Sequence, residues 1–163
     1  MNEEFRMSEN IGNELINEEL NNIGRASDLL WLHFGQKFYI INRRGIEVEK
    51  GSYGIHIQCP WRFIHQGILV LGSMDIYMPK EGVHESDFNW DEIGNSVFDE
   101  KIKVIKEKIL PIKVQKVESD EIGNLKLIFE DDFVFEAMPN CSVKQEFWRL
   151  INNVTKEHTV IFE

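Results

Sequence analysis

His56, Gln58, Cys59 and Arg62, with Asp75 further along, are the side chains whose types and spacing come closest to chemistry in this chain. All five fall in Gly54 to Pro79, GIHIQCPWRFIHQGILVLGSMDIYMP, the longest nearly continuous apolar stretch. His56 and Cys59 have the residue types of a metal-ligand pair or of a Cys/His catalytic couple. Their spacing works against both. On an extended strand, residues three apart project to opposite faces, so the two meet at one point only if Pro60 distorts the strand end. A zinc ion needs further ligands, and neither a C-x-x-C nor an H-x-x-x-H spacing supplies them. The simpler arrangement places Cys59 with Tyr53, Ile55 and Ile57 on a buried face and gives His56 a hydrogen bond on the other. No catalytic residue, metal site or cofactor is expected.

Arg62 follows Trp61 in an apolar setting, where an arginine needs a partner. Asp75, just beyond the next strand, can offer a bidentate carboxylate, and a structural Arg62–Asp75 pair tying adjacent strands is the preferred expectation. The functional alternative groups Arg62 with His56 and Gln58 around an anion pocket. Asp87-Phe88-Asn89-Trp90-Asp91 imitates the opening of a calcium loop. It then places Glu92 where the sharp turn wants glycine and Phe98 where a bidentate glutamate is needed, so no metal is assigned to it.

Charge is the broader signal. Eighteen basic residues against twenty-eight acidic ones give a formal net charge of −10. That balance argues against unaided binding to nucleic acid or to an anionic membrane surface. Seven acids and no Lys or Arg occupy residues 81–100, and seven acids against one lysine occupy residues 118–136. Glu85, Asp87, Asp91, Glu92, Asp131 and Asp132 are the candidate acidic face. Such residues either form a solvated surface or complement a basic protein, whose approach they would accelerate.

The elements that must carry these residues read as α+β, in a single domain spanning residues 1–163. Ile11, Leu15, Ile16, Leu20 and Ile23 share a helical face that ends at Gly24, which predicts an amphipathic helix over residues 10–23. Short β-type segments follow at 29–34, 38–41, 46–49, 53–59, 61–65 and 68–77. Their short connections imply an antiparallel meander. Residues 80–95 read as a polar loop. Ser96-Val97-Phe98-Asp99 matches a capping box, and Phe98, Ile102, Ile105 and Ile109 line one face, predicting a helix over 97–109. Strands at 112–118, 124–130 and 133–138 come next. Treating Glu130-Asp131-Asp132 as a three-residue loop aligns Phe129 with Phe133, Leu127 with Phe135 and Leu125 with Ala137. For the tail, Ser142 to Gln145 can form a capping box and Val143, Phe147, Leu150 and Ile151 suit a helix, but the pattern favours one helical turn near 143–146 and then a strand pair, 147–151 with 159–162.

No apolar run is long enough to cross a bilayer, and the N-terminus MNEEFRMSEN is acidic where a signal peptide would be basic, so a cytoplasmic protein is expected. Cys59 and Cys141 are then free thiols, and the sequon at Asn153 is a chance match.

LHFG (32–35), GIHIQCPWRF (54–63), LGSMDIY (71–77), FNWDEIGNSVFDEKI (88–102) and GNLKLIFEDDFVFEAMP (123–139) together resemble an uncharacterised family of small bacterial cytosolic proteins. In size, acidity and mixed elements the chain is also similar to the α+β immunity proteins that bacteria make against polymorphic toxins. Neither resemblance implies an activity or a site residue. Two functions are therefore expected to compete. One is a non-enzymatic, immunity-type binding protein whose acidic loops cover a basic, toxin-like partner. The other is a small-molecule-binding or hydrolytic protein with a cleft near His56, Arg62 and Asp75.

Overall fold

Where an amphipathic helix is expected at the N-terminus, the chain makes a single 3-10 turn (Asn13–Leu15) and then strand β1 (Glu19–Ala26). The computed structural model describes residues 11–161; position 10 of the expected helix and Phe162 of the expected last strand lie outside them. The apolar spacing that imitates a helix has a different cause. Leu20 pairs with Phe34 and Asn22 with His33, so a bulge at Asn21 inserts one residue into β1 and reverses its alternation. Leu20 and Ile23, three apart, thereby reach the same core and are both fully buried. The left-handed backbone at Gly12 (φ 91°) and Asn17 (φ 70°) also blocks a continuous helix. The expected α+β class with two helices is thus corrected: the described residues form an antiparallel β protein with one α-helix.

The remaining strands are β2 (Leu29–Phe34), β3 (Phe38–Ile41), β4 (Glu47–Lys50), β5 (Tyr53–Ile57), β6 (Trp61–His65), β7 (Ile68–Gly72), β8 (Ile112–Ser119), β9 (Leu125–Phe129), β10 (Phe133–Ala137), β11 (Trp148–Asn152) and β12 (Glu157–Ile161). Ten of the twelve strands form one sheet in the order β12-β11-β5-β2-β1-β8-β9-β10-β6-β7, and β3 and β4 pair separately as a hairpin. The strands are antiparallel as expected, but they do not meander. β2 skips the β3–β4 hairpin to pair with β5, and β5 takes β11 as its other neighbour. β5 and β6, adjacent in sequence, do not pair, because the backbone between them is used elsewhere. The Gln58 amide donates to the Phe147 carbonyl (2.8 Å), and the Pro60 carbonyl accepts from Met138 (2.8 Å). The link Gln58-Cys59-Pro60 therefore passes the chain from a half-sheet built on β5 to one built on β6.

β1 and β8 join the halves through only two residue pairs, and one core holds them together. Leu30, Leu32, Phe34, Ile55, Ile57 and Leu150 enter that core from one half; Phe63, Leu127, Phe129, Phe133 and Phe135 enter from the other. Phe63 stacks on Phe133 with ring centroids 5.3 Å apart. The Trp148 indole N–H donates to the Gly123 carbonyl (2.8 Å), tying β11 to the β8–β9 turn. The β9–β10 register is the expected one, with Leu127 opposite Phe135 and Leu125 opposite Ala137. Asp131 and Asp132 turn the loop at φ 56° and 53°.

The helix, α1 (Val97–Lys108), carries the expected capping box. The Asp99 amide donates to Ser96 Oγ (3.1 Å), and the Ser96 amide donates back to the Asp99 carboxylate (3.2 Å). In the tail the strand pair forms, but residues 143–146 make no helical turn. There the Phe147 amide already donates to Ile161, continuing the β11–β12 ladder. No helix among the described residues is long and apolar enough to cross a membrane.

Candidate functional site

The fold separates the residues that the sequence groups around Arg62. On the outer face of the second half-sheet, Arg62 of β6 lies opposite Gly72 of β7 and Glu136 of β10. Its Nε donates to the Glu136 carboxylate at 2.6 Å, so Glu136, not Asp75, is its ion partner. Asp75 instead turns back on its own segment, a 3-10 helix (Ser73–Tyr77), and accepts from the Gly72 amide at 2.9 Å. The reason is local: a carboxylate three residues past a strand end satisfies the first free amide of the turn more readily than a group on the next strand. Glu118, Lys126, Glu136 and Arg62 alternate in sign across β8, β9, β10 and β6. They line a groove of about 420 Å3 together with Asp120 and Asn124.

His56 belongs to the other half. It is half-buried on β5, between Trp31 of β2 and Arg149 of β11. Gln58 is exposed beyond the strand end. Among the described residues, no hydrogen bond or ion pair joins His56 to Arg62 or Asp75. The face that holds His56 carries features the motifs did not reveal. The Trp31 ring lies over Gly24 so closely that a Cβ there would collide with it, and it stacks on His33 at 4.4 Å between centroids. Lys106 Nζ is 5.8 Å from the Trp31 ring centroid. Arg149 donates through Nε and Nη2 to the two carboxylate oxygens of Glu146 (2.7 and 2.9 Å) and contacts His158. His33 is 7 % exposed, its Nδ1 has no hydrogen-bond partner, and burial, reinforced by Lys50, His56 and Lys106, pushes its pKa down to about 4. Burial and Lys50 also lower that of His56.

Cys59 is buried, with its thiol pushed up to about 11 by burial, as befits a small core residue; Cys141 is exposed. Among the described residues no cluster of His, Cys, Asp and Glu is disposed to hold a metal ion.

The acidic residues are all exposed: Glu85, Asp87, Asp91 and Glu92 in the loop 80–95, and Asp131 and Asp132 in the β9–β10 turn. The loop is fixed at its base by a buried ion pair that the sequence did not announce. Arg25, at the end of β1, donates through Nε and Nη2 to both oxygens of Asp99 (3.0 and 2.9 Å). The same guanidinium donates to the carbonyls of Ser27 (2.8 Å) and Glu92 (3.2 Å). Asp99 also accepts from the Gly94 amide and the Ser96 hydroxyl, both at 2.8 Å. Burial alone would raise the Asp99 pKa; Arg25 and these donors outweigh it and hold the carboxyl far below the ordinary range. Tyr77 packs edge-on against Trp90 at 5.0 Å, and Pro79 bridges to Ser96. A segment with five exposed carboxylates, Glu81 among them, is thereby held at both ends and in the middle. The one sequence signal for the pair was the capping box, which gives Asp99 one of its two roles. Arg25 carried none, because β1 was read as a helix.

No family model, curated protein or solved structure matches the chain.

Proposed function

We propose that this chain is a non-enzymatic, cytoplasmic binding protein of immunity type, which covers a basic protein partner with the acidic loop 80–95. The observation that carries this is the loop's anchorage. The buried Arg25–Asp99 pair reaches the Glu92 carbonyl and the Gly94 amide, so Glu85, Asp87, Asp91 and Glu92 need little ordering when a partner arrives. A merely solubilising surface has no use for such anchorage. The net charge of −10 and the resemblance to small bacterial cytosolic proteins and immunity proteins point the same way. A ligand cleft uniting His56, Arg62 and Asp75 has less to stand on, since Arg62 binds Glu136 and His56 sits on the other half-sheet.

The test is co-purification from cells of the protein's source at low and at high salt, with a variant carrying Glu85→Lys, Asp87→Lys, Asp91→Lys and Glu92→Lys as control. The expected result is a basic protein retained by the native chain at low salt, released by salt and absent with the variant. Recovery of the same proteins with both chains would sink the proposal.

A further inference from the structure

β7 is the last strand of the ten-stranded sheet, and among the described residues its outer backbone edge has no strand neighbour. Natural sheets guard such edges with charged residues or proline. Here residues 66–74, QGILVLGSM, contain neither. Ile68 and Leu69 are 66 % and 61 % exposed, and the apolar surface continues through the exposed Met74 and Met78. Two devices guard it: a bulge opposite Phe63 and Ile64, and at the end of the strand the Asp75 carboxylate, which already accepts from the Gly72 amide.

The two acidic clusters stand at opposite ends of this strand. At its start, His65 and Gln66 both contact the Asp131 carboxylate (3.0 and 3.1 Å), which places Asp131 and Asp132 beside the β6–β7 turn. At its end the chain enters the 3-10 segment, Tyr77 meets Trp90, and the Met78 carbonyl accepts from the Val97 amide (2.8 Å). That brings the loop 80–95 alongside. An uncharged, apolar strand edge roughly 16 Å long therefore runs between two groups of carboxylates.

We propose that β7 is a strand-addition site for an extended segment of a basic protein, with apolar side chains in its middle and lysines or arginines at both ends. This deepens the function proposed above and rests on it. Main-chain hydrogen bonds to the open edge would give affinity, and the flanking carboxylates would set register and exclude other strands. A second copy of the chain fits poorly. Two-fold pairing of β7 with itself is antiparallel and would set Asp131 and Asp132 of one copy beside the acidic loop of the other.

The experiment uses the full chain and a synthetic peptide of alternating valine and threonine closed at each end by paired lysines, with the same peptide closed by glutamates as control. Calorimetry measures affinity, and amide exchange reports pairing at residues 68–70. Binding is expected for the lysine peptide alone, with new protection on β7. Leu69→Lys, at an exposed position, should weaken it roughly ten- to a hundredfold with thermal unfolding unchanged. No binding of the lysine peptide, equal binding of both peptides, or binding without protection of β7 overturns the proposal. If charge reversal in the loop abolishes binding while Leu69→Lys leaves it intact, strand addition fails and the acidic-loop function survives. Self-association in sedimentation that Leu69→Lys abolishes also overturns it, in favour of a second copy.

Discussion

Acidification should loosen the fold through His33 before the depressed carboxyls of Asp99, Asp131 and Glu146 begin to matter. The His33 pKa falls from 6.5 to about 4 in the folded chain, because the ring is buried beside Trp31 and faces Lys50 from β4, His56 from β5 and Lys106 from α1. The unfolded chain therefore binds more protons between these two values, and stability falls as the pH falls. His33 contributes fully above pH 6.5, loses about 2 kcal/mol of that contribution by about pH 5, and loses about 3 kcal/mol once the pH is below the folded value. His56 acts in the same direction. Asp99, Asp131 and Glu146 have depressed values, so their losses begin only near their ordinary values, 3.8 to 4.5, leaving the window above to the imidazoles. The assay is urea unfolding followed by tryptophan fluorescence at several pH values between about 7 and 5, with midpoints converted at constant slope. His33→Phe keeps the stacked ring and removes the proton. Because Nδ1 has no partner to lose, the variant should be at least as stable as the native chain near neutrality and should show a much flatter pH dependence. A native chain whose midpoint does not move across this window, or a variant with an undiminished slope, would refute the reasoning.

Asp99→Asn should cost about 3–5 kcal/mol, because it strands a buried guanidinium, and replacing Arg25 with Met in the same chain should recover much of the loss; a double-mutant cycle in denaturant measures both. Gly24→Ala should cost about 1–3 kcal/mol by lifting Trp31 off the strand, with a change in near-ultraviolet circular dichroism as the accompanying sign. At neutral pH a thiol reagent should label Cys141 in the folded chain and reach Cys59 only after unfolding. Rapid labelling of both in the native state would contradict the burial of Cys59.

Patterns that depend on neighbouring residues were legible in the sequence, and those that depend on distant ones were not. The capping box at Ser96, the bounds of β2, β3 and β6, and the Leu127–Phe135 register all follow from residues within a few positions of one another. The bulge at Asn21 was invisible because it exists only against Phe34 and His33, and it made a strand look like a helix. Arg62 was expected to be buried and paired with Asp75, but it is exposed on the outer face of the sheet. The nearer candidate in sequence, Asp75, lost to Glu136, which β10 brings alongside from much further down the chain. The acidic residues were plain from composition, but their division between the two ends of β7 required the topology.

The way the halves interleave also constrains how the chain is made. β2 and β5 can pair as soon as both have been synthesised, but β11, the second neighbour of β5, follows about ninety residues later, as does β8 for β1. At ordinary translation speeds of roughly 5–20 residues per second, the first half-sheet waits on the order of several seconds with apolar edges open. β6 waits likewise for β10. Folding should therefore be slow and concerted, finishing only after the last strands leave the ribosome. A chain cut before β11 should be held by chaperones or aggregate instead of persisting as a stable half.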